Sequence, residues 1–146
     1  MQQRSRTERF ATTLRGQCLG MRVARLHRVI NAIFDDTLAP LGISVSQLEV
    51  LSTLVVAGQP LKPAQLADLC AVERSTMSRN VALLERKGWI TTTSRSTDGR
   101  ALAVTVSTEG RHMLNRAEQA WSTAQATARD TLGNDAAAIL DTWLQH

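Results

Sequence analysis

Tyrosine is absent from this chain, and aromatic residues make up only 3% of it. With 43% hydrophobic residues there is ample material for a core, but that core must be aliphatic and built from small side chains. Cysteine is almost missing as well. Cys18 and Cys70 lie far apart and belong to no CxxC pair, which excludes a disulfide framework and a cysteine-based zinc site and suits a reducing cytoplasm. His27, His112 and His146 share no i, i+4 spacing with one another or with a cysteine, so neither a metal nor another cofactor is expected. No stretch approaches ~18 uninterrupted apolar residues, so no membrane span is expected. The first residues lack the apolar segment and small-residue cleavage site of a secretory leader. Repeats, a Gly-rich phosphate loop and a nucleophile–base set are also lacking, so the chain does not read as an enzyme.

Acidic residues are scarce at one end. Arg4, Arg6, Arg9, Arg15, Arg22, Arg25 and Arg28 face a single acid, Glu8, before residue 32. A second basic group comprises Arg74, Arg79, Arg86, Lys87, Arg95 and Arg100. The net charge of +4 and pI of about 10.0 suit a nucleic-acid partner without requiring one. At 146 residues the chain fits one domain, or one domain with an extension.

Periodicity then orders the chain. Residues 1–9 are polar and expected to be mobile. A single long helix is expected from Thr12 to Ala39, with Leu14, Cys18, Met21, Leu26, Ile30, Ile33 and Phe34 on one face and Pro40 and Gly42 as its stop. Ser46 and Glu49 have capping-box spacing and open a helix closed by Gly58 and Pro60. Pro63 suits the first position of the next helix, whose preceding Lys62 is a poor cap, so fraying is expected there. After a turn near Ala71, a helix spans Glu73–Lys87, with Met77, Val81 and Leu84 inward and Gly88 as a left-handed stop. Trp89–Arg95 is rich in β-branched residues, and Leu102, Val104 and Val106 alternate with Ala103 and Thr105. The two runs read as a hairpin turning at Asp98-Gly99. Ser107 caps a helix reaching Leu132, and a last helix spans Asn134–Leu144.

This order is a winged helix-turn-helix, which can place one helix in the DNA major groove and a basic loop beside it. The expected fold is mainly α with a small β-wing. Residues 1–146 form one such unit: about 44–106 the winged DNA-binding lobe, about 10–40 and 107–146 dimerisation helices. The terminal helices are too long and amphipathic for one small lobe to cover, which implies a homodimer with Trp121 and Trp143 at its interface. Trp89 anchors the hairpin, and Cys70 is core.

Leu66-Ala-Asp-Leu-Cys-Ala-Val-Glu-Arg-Ser-Thr-Met-Ser-Arg-Asn-Val-Ala-Leu-Leu-Glu-Arg-Lys-Gly-Trp-Ile90 resembles the multiple-antibiotic-resistance regulator (MarR) family. So do Arg95-Ser-Thr-Asp-Gly-Arg100, Val104-Thr-Val-Ser-Thr-Glu-Gly110 and Leu38-Ala-Pro-Leu-Gly-Ile43. The resemblance implies a cytoplasmic, nucleoid-associated homodimeric transcription regulator, a repressor on a pseudo-palindromic double-stranded operator, released by a small aromatic or anionic effector. It implies that Arg74, Ser75, Thr76, Ser78 and Arg79 face DNA, that Asp98 braces the wing, that Arg100 reaches the minor groove, and that Arg95 lies near phosphate. Ala71 stands where glycine is common in the family, so the turn is expected to adopt a conformation that alanine tolerates. His27 with Arg22 or Arg25 could hold an anionic effector. Cys18 lies roughly where the hydroperoxide-sensing branch carries its reactive cysteine, which makes a thiol-based redox-sensing repressor an alternative. That branch also uses tyrosines, and a buried cysteine equally serves as a small hydrophobe. A winged-helix protein-interaction module is the alternative of a different class.

Overall fold

A computed structural model describes residues 5–95, 97 and 101–145, with the backbone alone at 94, 95, 101 and 102. The chain begins with helix α1, Arg6–Gln17. Its cap accounts for where this helix starts. The Ser5 hydroxyl accepts from the Glu8 amide at 3.2 Å, and the Glu8 carboxylate accepts from the Ser5 amide at 2.7 Å. Both bonds satisfy donors that the helix start would otherwise leave open. The polar stretch expected to be mobile is therefore helical from Arg6 onward.

The expected single helix from Thr12 to Ala39 is two helices. Cys18 takes an extended conformation, with ψ 115°, between α1 and α2, Leu19–Leu38. Gly16 and Gly20 bracket the break, and glycine costs a helix interior about 1 kcal/mol relative to alanine. The Arg22 guanidinium donates to the Gly16 carbonyl, one of those that α1 leaves open at its end. Hydrophobic spacing alone cannot reveal such an elbow, because the apolar residues continue across it.

A single 3₁₀ turn, Ala39–Leu41, leads to Gly42 at φ 71° and then to α3, Val45–Ala57. The capping box here is Ser44 with Gln47, two residues before the expected Ser46 with Glu49. The reason is tertiary: an Asp35 oxygen on α2 accepts from the Val45 amide at 2.7 Å and fixes the helix start there. Ser46 already lies inside α3, where its hydroxyl accepts from the Asn80 side chain at 2.9 Å.

Helix α4, Pro63–Leu69, has proline at its first position as expected. Its start is held rather than frayed, because the Gln65 side chain accepts from the Lys62 amide at 2.8 Å. The turn that follows places Ala71 at φ 51°, in the left-handed region, with the Val72 amide bonded to the Ala67 carbonyl at 3.0 Å. Alanine does not sit comfortably here, contrary to expectation, since a Cβ in this conformation costs roughly 1–2 kcal/mol. Part of that strain returns as unfolded-state entropy when glycine replaces it. Ala71→Gly is therefore expected to raise stability by about 0.5–1 kcal/mol, read as a higher urea midpoint at constant slope; a lower midpoint would contradict the strain.

Helix α5 spans Arg74–Arg86 and ends at Gly88, φ 74°. Strands β1, Ile90–Arg95, and β2, Ala101–Val106, pair antiparallel, with Ile90 opposite Val106 and Thr92 opposite Val104. The register is irregular between Thr92 and Arg95. Leu61 joins this hairpin through two backbone bonds to Val104, at 2.8 and 3.0 Å. Helix α6, Thr108–Leu132, packs against α2 and α3 and buries Met113 together with the small Ala117, Ala124 and Ala128. Gly133 then separates it from α7, Ala136–Leu144, which buries none of its residues. The centre of the molecule is Leu38, Leu51, Leu66, Met77, Leu84, Ile90 and Val104, all essentially sealed from solvent.

Candidate nucleic-acid interface

The helix-turn-helix is built so that α5 has two unlike faces. Met77, Val81 and Leu84 fall within an arc of about 60° and are buried. Each such aliphatic side chain contributes roughly 1.5–3 kcal/mol on full burial, enough to fix the rotation of the helix. Ser75, Ser78 and Arg79 then fall away from the core, Arg74 flanks the buried arc, and all four are exposed, with Thr76 half-buried beside them. Among the described residues no carboxylate pairs with Arg74 or Arg79. The Arg79 guanidinium makes only a long bond, 3.4 Å, to the Thr76 hydroxyl one turn back. The result is a row of cationic and hydroxyl donors on one helix, free of carboxylate partners among the described residues, which is what phosphates and guanine edges require.

Several contacts hold this helix in place, and the sequence alone did not reveal them. Asn80 ties it to Ser46 at the start of α3, and Asp35 ties α3 to α2. The Thr92 hydroxyl on β1 donates to a Glu85 carboxylate oxygen at 2.9 Å. The facing hydroxyls of Thr91 and Thr105 are 2.8 Å apart across the hairpin. Lys87 lies over the Trp89 ring, 4.6 Å from its centre, and donates to the Gly42 carbonyl. Trp89 is thereby clamped between the end of α5 and the hairpin, as the anchor expected of it. In sequence these are isolated polar residues without periodic signal, so only the fold could pair them.

Arg95 is described only by its backbone at the end of β1, and Asp98 and Arg100 lie outside the described residues.

The proposed effector set is divided. Arg22 and Arg25 line one cavity together with Arg15 and Arg28. His27 is not part of it: its Nε2 lies 3.1 Å from the Asn31 side-chain nitrogen, and it acts electrostatically on Glu49 of α3. Burial pushes the Glu49 carboxyl above its usual range, with His27 opposing the shift. Glu49, Leu48, Leu114 and Trp121 line a separate cleft of about 600 Å³ between α3 and α6.

The two thiols also differ. Cys18 is half-buried at the helix break, and its neighbour Arg22 is directed to the Gly16 carbonyl. Cys70 is 7% exposed in the core, with its sulfur 3.6 Å from the Thr53 hydroxyl. Burial pushes the Cys70 thiol up, away from the reactive thiolate. In native protein Cys70 is accordingly expected to resist iodoacetamide near about pH 7.5 and to react fully once unfolded. Labelling at the same rate in both states, read by peptide mass spectrometry, would contradict its placement.

Comparison with known proteins agrees with this geometry. The sequence pattern of the MarR family matches residues 41–101. An uncharacterised helix-turn-helix-type transcriptional regulator of Mycobacterium leprae (strain TN) is 33% identical over 131 residues, covering 84% of this chain and 88% of its own. A mutant MarR from E. coli in complex with operator DNA has the same fold, with a TM-score of 0.75 at 22% identity over 91% of this chain and 95% of that one. A Mycobacterium tuberculosis MarR family protein in complex with salicylic acid matches with a TM-score of 0.62 at 26% identity, over 87% and 93% of the two chains.

Proposed function

We propose that this chain, which belongs to the MarR family of winged-helix transcription regulators, is a homodimeric repressor that binds a pseudo-palindromic operator and is released by a small anionic effector. The observation that carries the DNA reading is the exposed face of α5, where Arg74, Ser75, Ser78 and Arg79 stand free of intramolecular carboxylates among the described residues. Arg79 and Arg74 supply bidentate donors for guanine or phosphate, and the serines and Thr76 supply short hydroxyl contacts. The wing residues Arg95, Asp98 and Arg100 complete the contact, with Arg100 in the adjacent minor groove. Residues 44–106 form the reading lobe, and the helices on either side hold two lobes apart.

Dimerisation is supported by what the terminal helices leave uncovered. Phe10, Leu19, Val23, Trp143 and Leu144 are each more than half exposed. A twofold pairing of the N-terminal helices with the partner's C-terminal helices covers that apolar surface. The two half-sites then lie about one helical turn, ~10 bp, apart or a small multiple of it.

Among the family's members, the M. tuberculosis protein holds salicylic acid, which supports release by a small anion. Arg22 and Arg25 are the cationic groups placed to receive one. Release requires that the ligand favour a lobe spacing that does not fit the operator.

The test is operator selection with purified protein, followed by footprinting and light scattering on the complex. Two protected half-sites and two chains per duplex are expected. A single chain on one half-site, or no sequence selected, would overturn the reading. Arg100→Ala is expected to weaken binding to all sequences alike and lower the slope of log K against log salt by about one unit. An unchanged slope would remove Arg100 from the phosphate contacts.

A further inference from the structure

The elbow between α1 and α2 borders an open cavity of about 530 Å³ lined by Arg15, Arg22, Arg25 and Arg28. We propose that this cavity binds a small polyanion, an organic phosphate or a polycarboxylate presenting two or more oxyanion groups.

The placement follows from the sequence once the helix break is known. Arg22, Arg25 and Arg28 follow one another at intervals of three, which keeps them within about a third of the circumference of α2. Arg15 comes from the last turn of α1 and joins them across the bend at Cys18. In an unbroken helix the same four arginines would not enclose a space. The bend also brings the first turn of α2, its positive end, to the cavity through Met21. Cys18 offers no side-chain acceptor to that turn.

Within one protomer, nothing among the described residues neutralises this charge. No carboxylate lines the cavity, and among the described residues none lies within salt-bridge distance of Arg15, Arg22, Arg25 or Arg28. The single acid of the first thirty-one residues, Glu8, is committed to the cap of α1. Four guanidinium groups around one space repel each other, and an oxyanion relieves that repulsion while accepting paired N–H bonds. The volume suits a small metabolite, since ligand pockets are roughly 300–1,000 Å³. Met21 and Ala24 add apolar lining that tolerates a carbon skeleton.

The proposal deepens the effector reading above and rests on it only for a consequence at DNA; binding itself is measured without DNA. Calorimetric titration of the full chain at low salt uses pyrophosphate, citrate and benzoate as probes. Pyrophosphate or citrate is expected to bind at least about tenfold tighter than benzoate, the tighter of the two identifying the phosphate or the polycarboxylate class. Arg15→Gln/Arg28→Gln is expected to weaken that binding by about tenfold or more with the helical melting curve retained. Arg28→Lys, which keeps charge but loses the fork, is expected to fall between. The proposal is overturned by absence of binding to the wild-type chain, as when a partner's carboxylates fill the cavity in the dimer. It is also overturned by equal affinity for benzoate, or by unchanged affinity in the double variant. Operator affinity without probe reports separately on the DNA reading.

Discussion

Replacing Gly110 by alanine is expected to cost about 3 kcal/mol or more of folding stability, although alanine is the better helix former. Gly110 occupies the first turn of α6, where its amide donates to the Ser107 hydroxyl at 3.0 Å. Helix propensity alone favours the substitution by about 1 kcal/mol. Against that stands geometry: a Cβ at this position would lie 2.0 Å from the Trp89 carbonyl oxygen and 2.9 Å from the Val106 side chain. The first of these is backbone and cannot rotate away. It also accepts from the Ser107 amide at 3.0 Å, so moving it disturbs the cap of α6 together with the start of the hairpin. The clash therefore decides the sign. Urea unfolding should show a lower midpoint with an unchanged slope, and operator binding should weaken because the wing is carried by the same junction. A midpoint equal to or above that of the parent would mean that α6 does not approach the hairpin so closely.

Gly110 also shows what was legible in the sequence and what was not. It stands in the Val104–Gly110 stretch that resembles the MarR family, but its spacing gives no reason for a glycine, because the reason is a chain segment twenty-one residues earlier. Local rules succeeded where the cause is local. The buried trio of α5, the left-handed Gly88, Pro63 at a helix start and the Ser107 cap all stand where periodicity and capping chemistry place them. They failed where a distant partner intervenes. The cap of α3 moved to Ser44 because Asp35 reaches it across ten residues. The Leu61 bridge to Val104 has no strand signature around Leu61, whose neighbours are Pro60 and Lys62. The break at Cys18 lay hidden beneath a continuous apolar pattern, and with it the one feature that gathers Arg15 to Arg22, Arg25 and Arg28. His27 was grouped with Arg22 and Arg25 by closeness in sequence, whereas helical rotation directs it toward Glu49. Of the DNA-facing set, the α5 residues follow from a single helix rotation. The wing depends on a turn whose key residues lie outside the described ones.

Arg79→Ala is expected to weaken operator binding by about 1–3 kcal/mol, roughly fivefold to more than a hundredfold in Kd, and to relax the preference at one base pair. The side chain is exposed, and its 3.4 Å bond to Thr76 is long and internal to the same helix. Truncation therefore leaves the core untouched, and the melting temperature should hold within the small range expected of surface changes. This separates the variant from Gly110→Ala, in which stability and binding fall together. It also separates base reading from simple charge. Arg79→Lys keeps the positive charge but not the planar pair of donors that matches guanine O6 and N7. Lysine should restore much of the affinity for unrelated duplexes without restoring the preference at that base pair. Competition binding against operators mutated singly at each position measures both quantities at one salt concentration. If alanine leaves the preference intact at every position while lowering affinity uniformly, Arg79 contacts phosphate, and sequence reading passes to Arg74, Ser75 and Ser78 on the same face.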